Sequence, residues 1–292
     1  MGNVMKVSGF TFVRNGHSLG FPFIESIRSI LPICDEFIVN VGASDDDTLA
    51  RVKAINDPKI KIIETTWNMH MQSKGYLYGE QKMIAQFACT GDWAFYLEAD
   101  EVVHEQDLPK IVAAMHQHLD DKNVEALAFR YVHLYGNINT YAWSPLWYRV
   151  APRIIKTSVR SFAPDGLYWV VLDQHNKKGR YPKAALVKEA TMYHYGWVRP
   201  ESKMTEKYAQ VAPLWAGNAR KIVYAAIDPQ TLLPFKGNHP KVVEGVFSSE
   251  TGVFHSDPDH VLTRRERKHR WMMKVERWFG IEFGNKHCRL IK

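Results

Sequence analysis

GDWAFYLEADE, Gly91 to Glu101, is the stretch that decides how this chain is read. Trp93 to Leu97 are apolar or aromatic, as in a strand buried on both faces. The run then stops in acid, at Glu98, Asp100 and Glu101. A carboxylate ionised and buried alone is strongly unfavourable. Either water solvates these groups or a cation meets them.

Upstream, Val4 to Val13 reads as a first strand. Ile24, Ile27, Ile30 and Leu31 have helical spacing, and Pro32 marks the end of that helix. Glu36 to Val41 (EFIVNV) is a second buried strand. GASDDDT follows, with a helix from Thr48 to Ile55 whose N-terminus carries Asp45, Asp46 and Asp47, where capping and the macrodipole favour acids. Lys59 to Glu64 is a third strand, Glu80 to Ala88 a helix closed by Gly91, and Trp93 to Leu97 a fourth strand. Leu108, Ile111, Val112, Met115 and Leu119 then mark an amphipathic helix.

Strand alternating with helix predicts a mainly parallel α/β sheet flanked by helices. In such sheets ligands sit beyond the carboxyl ends of the strands. Three polar clusters fall there: Arg14-Asn15, Asn40 to Asp47, and Glu98 to Glu101.

After Glu125 aromatic residues crowd the chain. Strands are expected at Ala126 to Val132, Tyr148 to Ile155 and Met192 to Trp197 (MYHYGW). A helix is expected at Glu201 to Trp215, and residues 216 to 260 read mostly as loop. Arg264 to Phe279 predicts a basic amphipathic helix with Trp271, Val275, Trp278 and Phe279 on one stripe. These divisions suggest one domain over 1–215, with halves at 1–124 and 125–215, and a C-terminal extension over 216–292.

The 292 residues, 46% hydrophobic and 24% charged, suit an ordinary globular chain with a proper core. No apolar run is long enough to cross a bilayer, and the N-terminus has no signal-peptide profile. Cys34, Cys89 and Cys288 are far apart and fit no metal spacing; thiols in a reducing, cytosolic setting are expected. Ten Lys or Arg and three Glu lie between Arg264 and Lys292, so this segment holds the whole net charge of +7. Any attraction to an anionic surface should come from it. The helix at 264–279 is expected either on an anionic membrane face or packed on the domain with its basic face in water. The second is preferred, because Trp271 and Trp278 suit an intramolecular core.

The order of parts resembles the family 2 glycosyltransferases, of the kind that builds bacterial surface polysaccharide, including lipopolysaccharide. Four segments carry the resemblance: VRNG with ESIRSILPICDEFIVNVGASDDDT, GDWAFYLEADE, HYGWVRP, and GNHPKVV with the closing segment. The resemblance implies a GT-A-like single domain, with a nucleotide-sugar-binding half, a mixed acceptor-side half and a C-terminal helical extension. It implies an inverting, metal-dependent hexosyl transfer from a nucleoside-diphosphate sugar, UDP rather than GDP, to a hydroxyl of a glycan or glycolipid. The setting would be cytoplasmic, at most peripheral at the inner membrane face. Two positions depart from the pattern: Glu98 stands where the acidic motif usually opens with Asp, and Asn40 where an Asp often ends the second strand.

Departure of the sugar leaves negative charge on the diphosphate, which Mn²⁺ or Mg²⁺ stabilises. Asp100 is the expected direct ligand, and the resemblance adds His194. Glu98 and the adjoining Ala99 are expected at the donor, Glu98 through water or the ribose. Asn40, Ser44, Asp45 and Asp47 are expected to hold the nucleoside, Arg14 and Asn15 to frame the base, and Lys82 to face the diphosphate. A solvated acidic turn, helix caps and a plain helix lysine are the structural alternatives to these roles. For the general base the order of choice is Asp165, Asp173, Glu189, although PDG at 164–166 also suits a turn. Trp143, Trp147 and Trp169 are candidates for stacking on sugar rings. A donor-binding protein without turnover is the main rival. A nucleotidyltransferase is disfavoured because SGFTFVRNG lacks a Gly-rich phosphate loop, and nucleic-acid binding because no basic-aromatic module accompanies the tail.

Overall fold

The computed structural model describes residues 4–173, 179–215, 217–247, 252–284 and 287–291. The strands are β1 (Val7–Val13), β2 (Glu36–Gly42), β3 (Ile60–Thr65), β4 (Trp93–Tyr96), β5 (Glu101–Val103), β6 (Ala126–Tyr135), β7 (Asn137–Ala142), β8 (Val150–Lys156), β9 (Ser161–Phe162), β10 (Val170–Val171), β11 (Lys183–Trp197), β12 (Leu232–Pro234) and β13 (Arg289–Leu290). The helices are α1 (Phe23–Ile30), α2 (Thr48–Lys53), α3 (Tyr76–Phe87), α4 (Leu108–His118), α5 (Glu201–Val211) and α6 (Arg264–Phe279).

One large sheet runs β12-β7-β6-β8-β4-β1-β2-β3, with β11, β5 and β13 joined to it. The β4-β1-β2-β3 half is parallel, and β8 enters antiparallel to β4. This is the expected α/β, GT-A-like arrangement: a parallel half, then a mixed half. Every residue of β2, β4 and β8 is buried, so the apolar runs are central strands covered on both faces. Along β2, Val39 and Val41 pack with Ile27 of α1, whereas Ile38 packs with Ala85 of α3 on the other face.

The structure extends several expected elements. Helix α3 begins at Tyr76 rather than Glu80, after Gly75 in the left-handed region. Strand β11 runs from Lys183, well before Met192, because β6 supplies a parallel partner for that length. Six strands escaped the sequence reading: β5, β9, β10, β12 and β13 have only two or three residues each and no periodicity to detect, and β7 has six. β12 adds three residues of the expected loop to β7.

Helix α6 forms over the expected residues, with a capping box at Thr263 and Glu266. Its rotation is the reverse of the expectation. Trp271 is 62% exposed, and Trp278 and Phe279 are each 71% exposed. Two ion pairs set this orientation. The buried Arg149 donates to Glu276 at 2.6 and 3.1 Å, and Arg270 donates to the buried Asp228 at 2.8 and 2.7 Å. A buried charge without its partner costs several kcal/mol, so these pairs outrank the packing of two indoles.

At the end of the sheet away from those carboxyl termini, Glu36 ties three segments together. It accepts from Ser8 Oγ at 2.6 Å, from Thr90 N at 2.7 Å and from Lys61 Nζ at 2.5 Å. Burial opposes its charge, but the bonds from Lys61, Ser8 and Thr90 win and hold the carboxyl at about 2, below its ordinary 4.5. A depressed carboxyl contributes stability that is full above the unfolded value and lost as pH falls through the folded one. Glu36→Gln is therefore expected to lower unfolding free energy by about 1–3 kcal/mol at neutral pH. Chemical-denaturation curves should show that gap closing as pH falls from 4.5 towards 2.

Candidate functional site

A cleft of about 560 Å³ opens at the carboxyl ends of β1 and β4, a size that suits a small-molecule ligand. Arg14 and Asn15 line it on one side and Glu98, Ala99 and Asp100 at its base, with Asp45 at the rim. Asn15 takes a left-handed backbone, φ 52°, which Asn tolerates better than most residues. Its Oδ1 accepts from Asp45 N at 2.9 Å, and its own N–H donates to Ser44 Oγ at 3.0 Å. Ser44 thus braces the loop and is not among the lining residues. Arg14 Nε donates to the Ala43 carbonyl at 2.9 Å, with its guanidinium 5.7 Å from the Trp67 ring.

The three carboxylates meet cations from the chain itself. Arg153 of β8 reaches two of them. Its Nε and Nη2 donate to Glu101 at 2.7 and 2.6 Å, and Nη2 also donates to Glu98 at 2.6 Å. Glu101, wholly buried, accepts further from Tyr131 Oη at 2.8 Å and from Glu98 N at 3.1 Å. Burial, and then the charge of Glu101, pushes the Glu98 carboxyl up to about 8. Arg153 Nη1 donates to the Leu167 carbonyl at 3.0 Å, which fixes one wall of the cleft.

Asp100 divides its two oxygens. Oδ2 accepts from Lys207 Nζ at 3.0 Å and Arg199 Nη2 at 3.3 Å. Oδ1 stands 3.6 Å from His194 Nε2. Burial opposes the charge of Asp100, but the cations Lys207 and Arg199 outweigh it and hold the carboxyl well below the usual range.

The protonation of His194 follows from its neighbours. His133 Nε2 faces the Tyr148 carbonyl at 2.7 Å. A carbonyl only accepts, so this nitrogen carries the hydrogen. Burial, and then His194, pushes His133 down to about 3, so it is neutral and its Nδ1 is bare. His194 Nδ1, 3.1 Å away, must therefore donate to it. Burial also lowers His194, the nearby Asp100 notwithstanding. Neutral His194 then presents the lone pair of Nε2 to a carboxylate oxygen. Two acceptors face each other there, which is the arrangement a cation completes. Gly196 leaves the approach open: a Cβ at that position would lie 2.6 Å from His194 Nε2 and 2.9 Å from Asp100 Oδ2.

No cluster of three or more His, Cys, Asp or Glu that could hold a metal occurs among the described residues. Two protein donors still fit Mg²⁺ or Mn²⁺, because such ions keep waters and take remaining ligands from substrate phosphates. Asp100 and His194 are the residues that would hold it.

Several expected site residues lie elsewhere. Asn40 is fully buried on the α3 side, where its amide donates to Gln81 at 2.9 and 3.0 Å and its carbonyl accepts from Thr65. Asp47 pairs with Arg51 and His17 at the start of α2. Lys82 is buried behind the wall, 4.0 Å from the rings of both Tyr96 and Trp169, with its ammonium on the Gly166 carbonyl at 3.3 Å. Burial drives its pKa well below the ordinary value. Asp165 accepts from Leu167 N at 2.7 Å, the bond of the PDG turn, and is not a lining residue. Asp173 follows β10, where its charge acts on Arg180, also outside the lining. Glu189 sits at φ 61° in a bulge of β11. Trp169 is wholly buried, Trp147 packs on Tyr135 and Trp197, and Trp143 lies under Arg149.

Sequence reasoning missed Arg153, Arg199, Lys207 and His133, and the lining aromatics Trp67, Tyr78 and Trp215. Arg199 lies within the HYGWVRP segment and was legible there as a cation near His194. Nothing local marks Arg153, which stands in a buried strand. Arg153→Met is expected to destabilise by about 3–5 kcal/mol, because the wholly buried Glu101 then stays without its cation. Thermal and denaturant melting would measure this, with Arg153→Met/Glu101→Gln recovering part of the loss.

The comparison with curated proteins found no match. Among solved structures, S. aureus TarS residues 1–349 in complex with UDP-GlcNAc is similar at 16% identity, over 53% of this chain and 46% of that one, with a TM-score of 0.36. Glucosyl-3-phosphoglycerate synthase from Mycobacterium tuberculosis, in complex with Mn²⁺, UDP and glucosyl-3-phosphoglycerate, is similar at 17% identity over 44% of each chain, with a TM-score of 0.31. The chain spans less than half the length of these structures. Residues 22–166, from α1 through the acidic base of the cleft to the PDG turn, match the family model for Glycosyl transferase family 2, and that match supports a family 2 glycosyltransferase.

Proposed function

We propose that this protein moves a sugar from a nucleoside-diphosphate sugar to a hydroxyl of a glycan or glycolipid, with inversion and with a bound divalent metal, in the building of bacterial surface polysaccharide. One observation carries the reading: Asp100 Oδ1 and the bare Nε2 of His194 face each other beside the cleft, with Asp100 inside the stretch that matches the family model and His194 beyond it. When bound, Mn²⁺ or Mg²⁺ would neutralise charge that develops on the departing diphosphate. Lys207 and Arg199 hold the other oxygen of Asp100 and add positive charge where a diphosphate would lie. Arg14 and Asn15 are assigned to the nucleoside end, with UDP the first nucleotide to test.

The position of Asp165 and Asp173 outside the lining favours one alternative, a donor-binding protein without turnover. Calorimetry and a donor-hydrolysis assay separate the two. The expected result is UDP binding that strengthens with Mn²⁺ and reverts with EDTA, together with release of sugar from one UDP-sugar. Asp100→Ala should lose the metal dependence, and Lys207→Ala should weaken UDP about tenfold, as for loss of one charge-assisted contact. Binding without hydrolysis or transfer would assign the protein to the alternative. Absence of nucleotide binding by the folded protein with metal present would overturn both.

A further inference from the structure

Helix α6 presents a face that an aqueous surface does not explain. None of its residues is buried. Trp271 and Trp278, seven residues apart, stand on one line along the axis, and Phe279 and the following Ile281 (46% exposed) extend the apolar surface. Exposed Arg267 and Lys274 run along one side of the indoles, and exposed Arg264 and Lys268 along the other. The acids of the helix do not neutralise this face. Glu276 is turned inward to Arg149, and Glu266 closes the capping box and bonds His260 at 3.0 Å. The segment from Arg264 onward also holds the whole net positive charge of the protein.

Indoles flanked by Arg and Lys on a single convex helix face match the border between lipid headgroups and acyl chains. The rings lie at headgroup level there, and the basic side chains reach lipid phosphates. A protein core would exclude the cations, and open water would leave the aromatic area unburied. We propose that α6 docks the protein flat on an anionic lipid bilayer, with Trp271 and Trp278 at the headgroup boundary and Arg264, Arg267, Lys268 and Lys274 on phosphates. No helix is long and apolar enough to cross a membrane among the described residues, so α6 would lie on the bilayer.

The test is co-sedimentation of the full chain with vesicles of phosphatidylcholine alone or of equimolar phosphatidylcholine and phosphatidylglycerol, at low and high salt. Partitioning into the anionic vesicles is expected to exceed that into neutral ones by about tenfold or more, and to fall with salt. Trp271→Ser/Trp278→Ser should cut it about tenfold at every salt, and Arg267→Glu/Lys274→Glu should remove the salt dependence. Both variants alter exposed residues, and unchanged thermal melting would certify their folds. Equal binding to both vesicle types would overturn the proposal, as would Trp variants that partition like the parent. It would also fall if the parent ignored vesicles but formed a dimer that the Trp variants dissolve, or bound single-stranded RNA instead.

Discussion

The site rests on one guanidinium. Arg153 sits wholly inside the protein with Glu101 on two of its nitrogens and Glu98 on one of those. Its strand β8 runs antiparallel to β4, the strand that ends in the acids. The same side chain reaches the Leu167 carbonyl in the cleft wall. An ion pair this deep is weak evidence for net stability, because desolvation consumes most of the Coulombic gain. What it does is fix geometry. With Glu98 and Glu101 bound to Arg153, only Asp100 of the three turns to Lys207, Arg199 and His194.

That division leaves the acids of one turn in two different settings. Glu101 is saturated by Arg153, Tyr131 and the Glu98 amide, and its part is to hold the turn. Asp100 keeps one oxygen directed at a bare imidazole nitrogen. The chain Tyr148 carbonyl, His133, His194 reaches from the mixed half of the sheet to Asp100 beside the cleft and sets which nitrogen of His194 is bare. A tautomer fixed by the next residue along is how proteins orient imidazoles at cation sites.

The C-terminal segment shows the same priority of buried charge over apolar packing. Arg149 and Asp228 lie within the protein and need Glu276 and Arg270. Satisfying both from one helix leaves a single rotation of α6, and in that rotation the indoles point outward. Exposed aromatic area is thus a consequence of two ion pairs formed beneath it.

Much of the architecture lies in local sequence. Apolar runs such as FIV of EFIVNV and WAFYL form fully buried strands, the polar Glu36 and Asn40 finding hydrogen-bond partners inside, and helical spacing marks α1, α4 and α6. Strand ends rich in polar residues mark the cleft, and Asp100 and His194 were both legible as a pair by resemblance. Pairings across long sequence separations were decided only by the tertiary structure. Asn40 ends a strand as a ligand residue would, yet its parity along β2 turns it to Gln81 on α3, and alternation alone does not say which face a helix covers. Asp165 has the composition of both a base and a turn, and in the structure it makes the turn's bond, accepting from Leu167 N. The cations that meet the acids arrive from β8, α5 and the segment between β11 and α5. A carboxylate run announces the need for positive charge, but the partner is whichever basic residue the sheet order brings within reach.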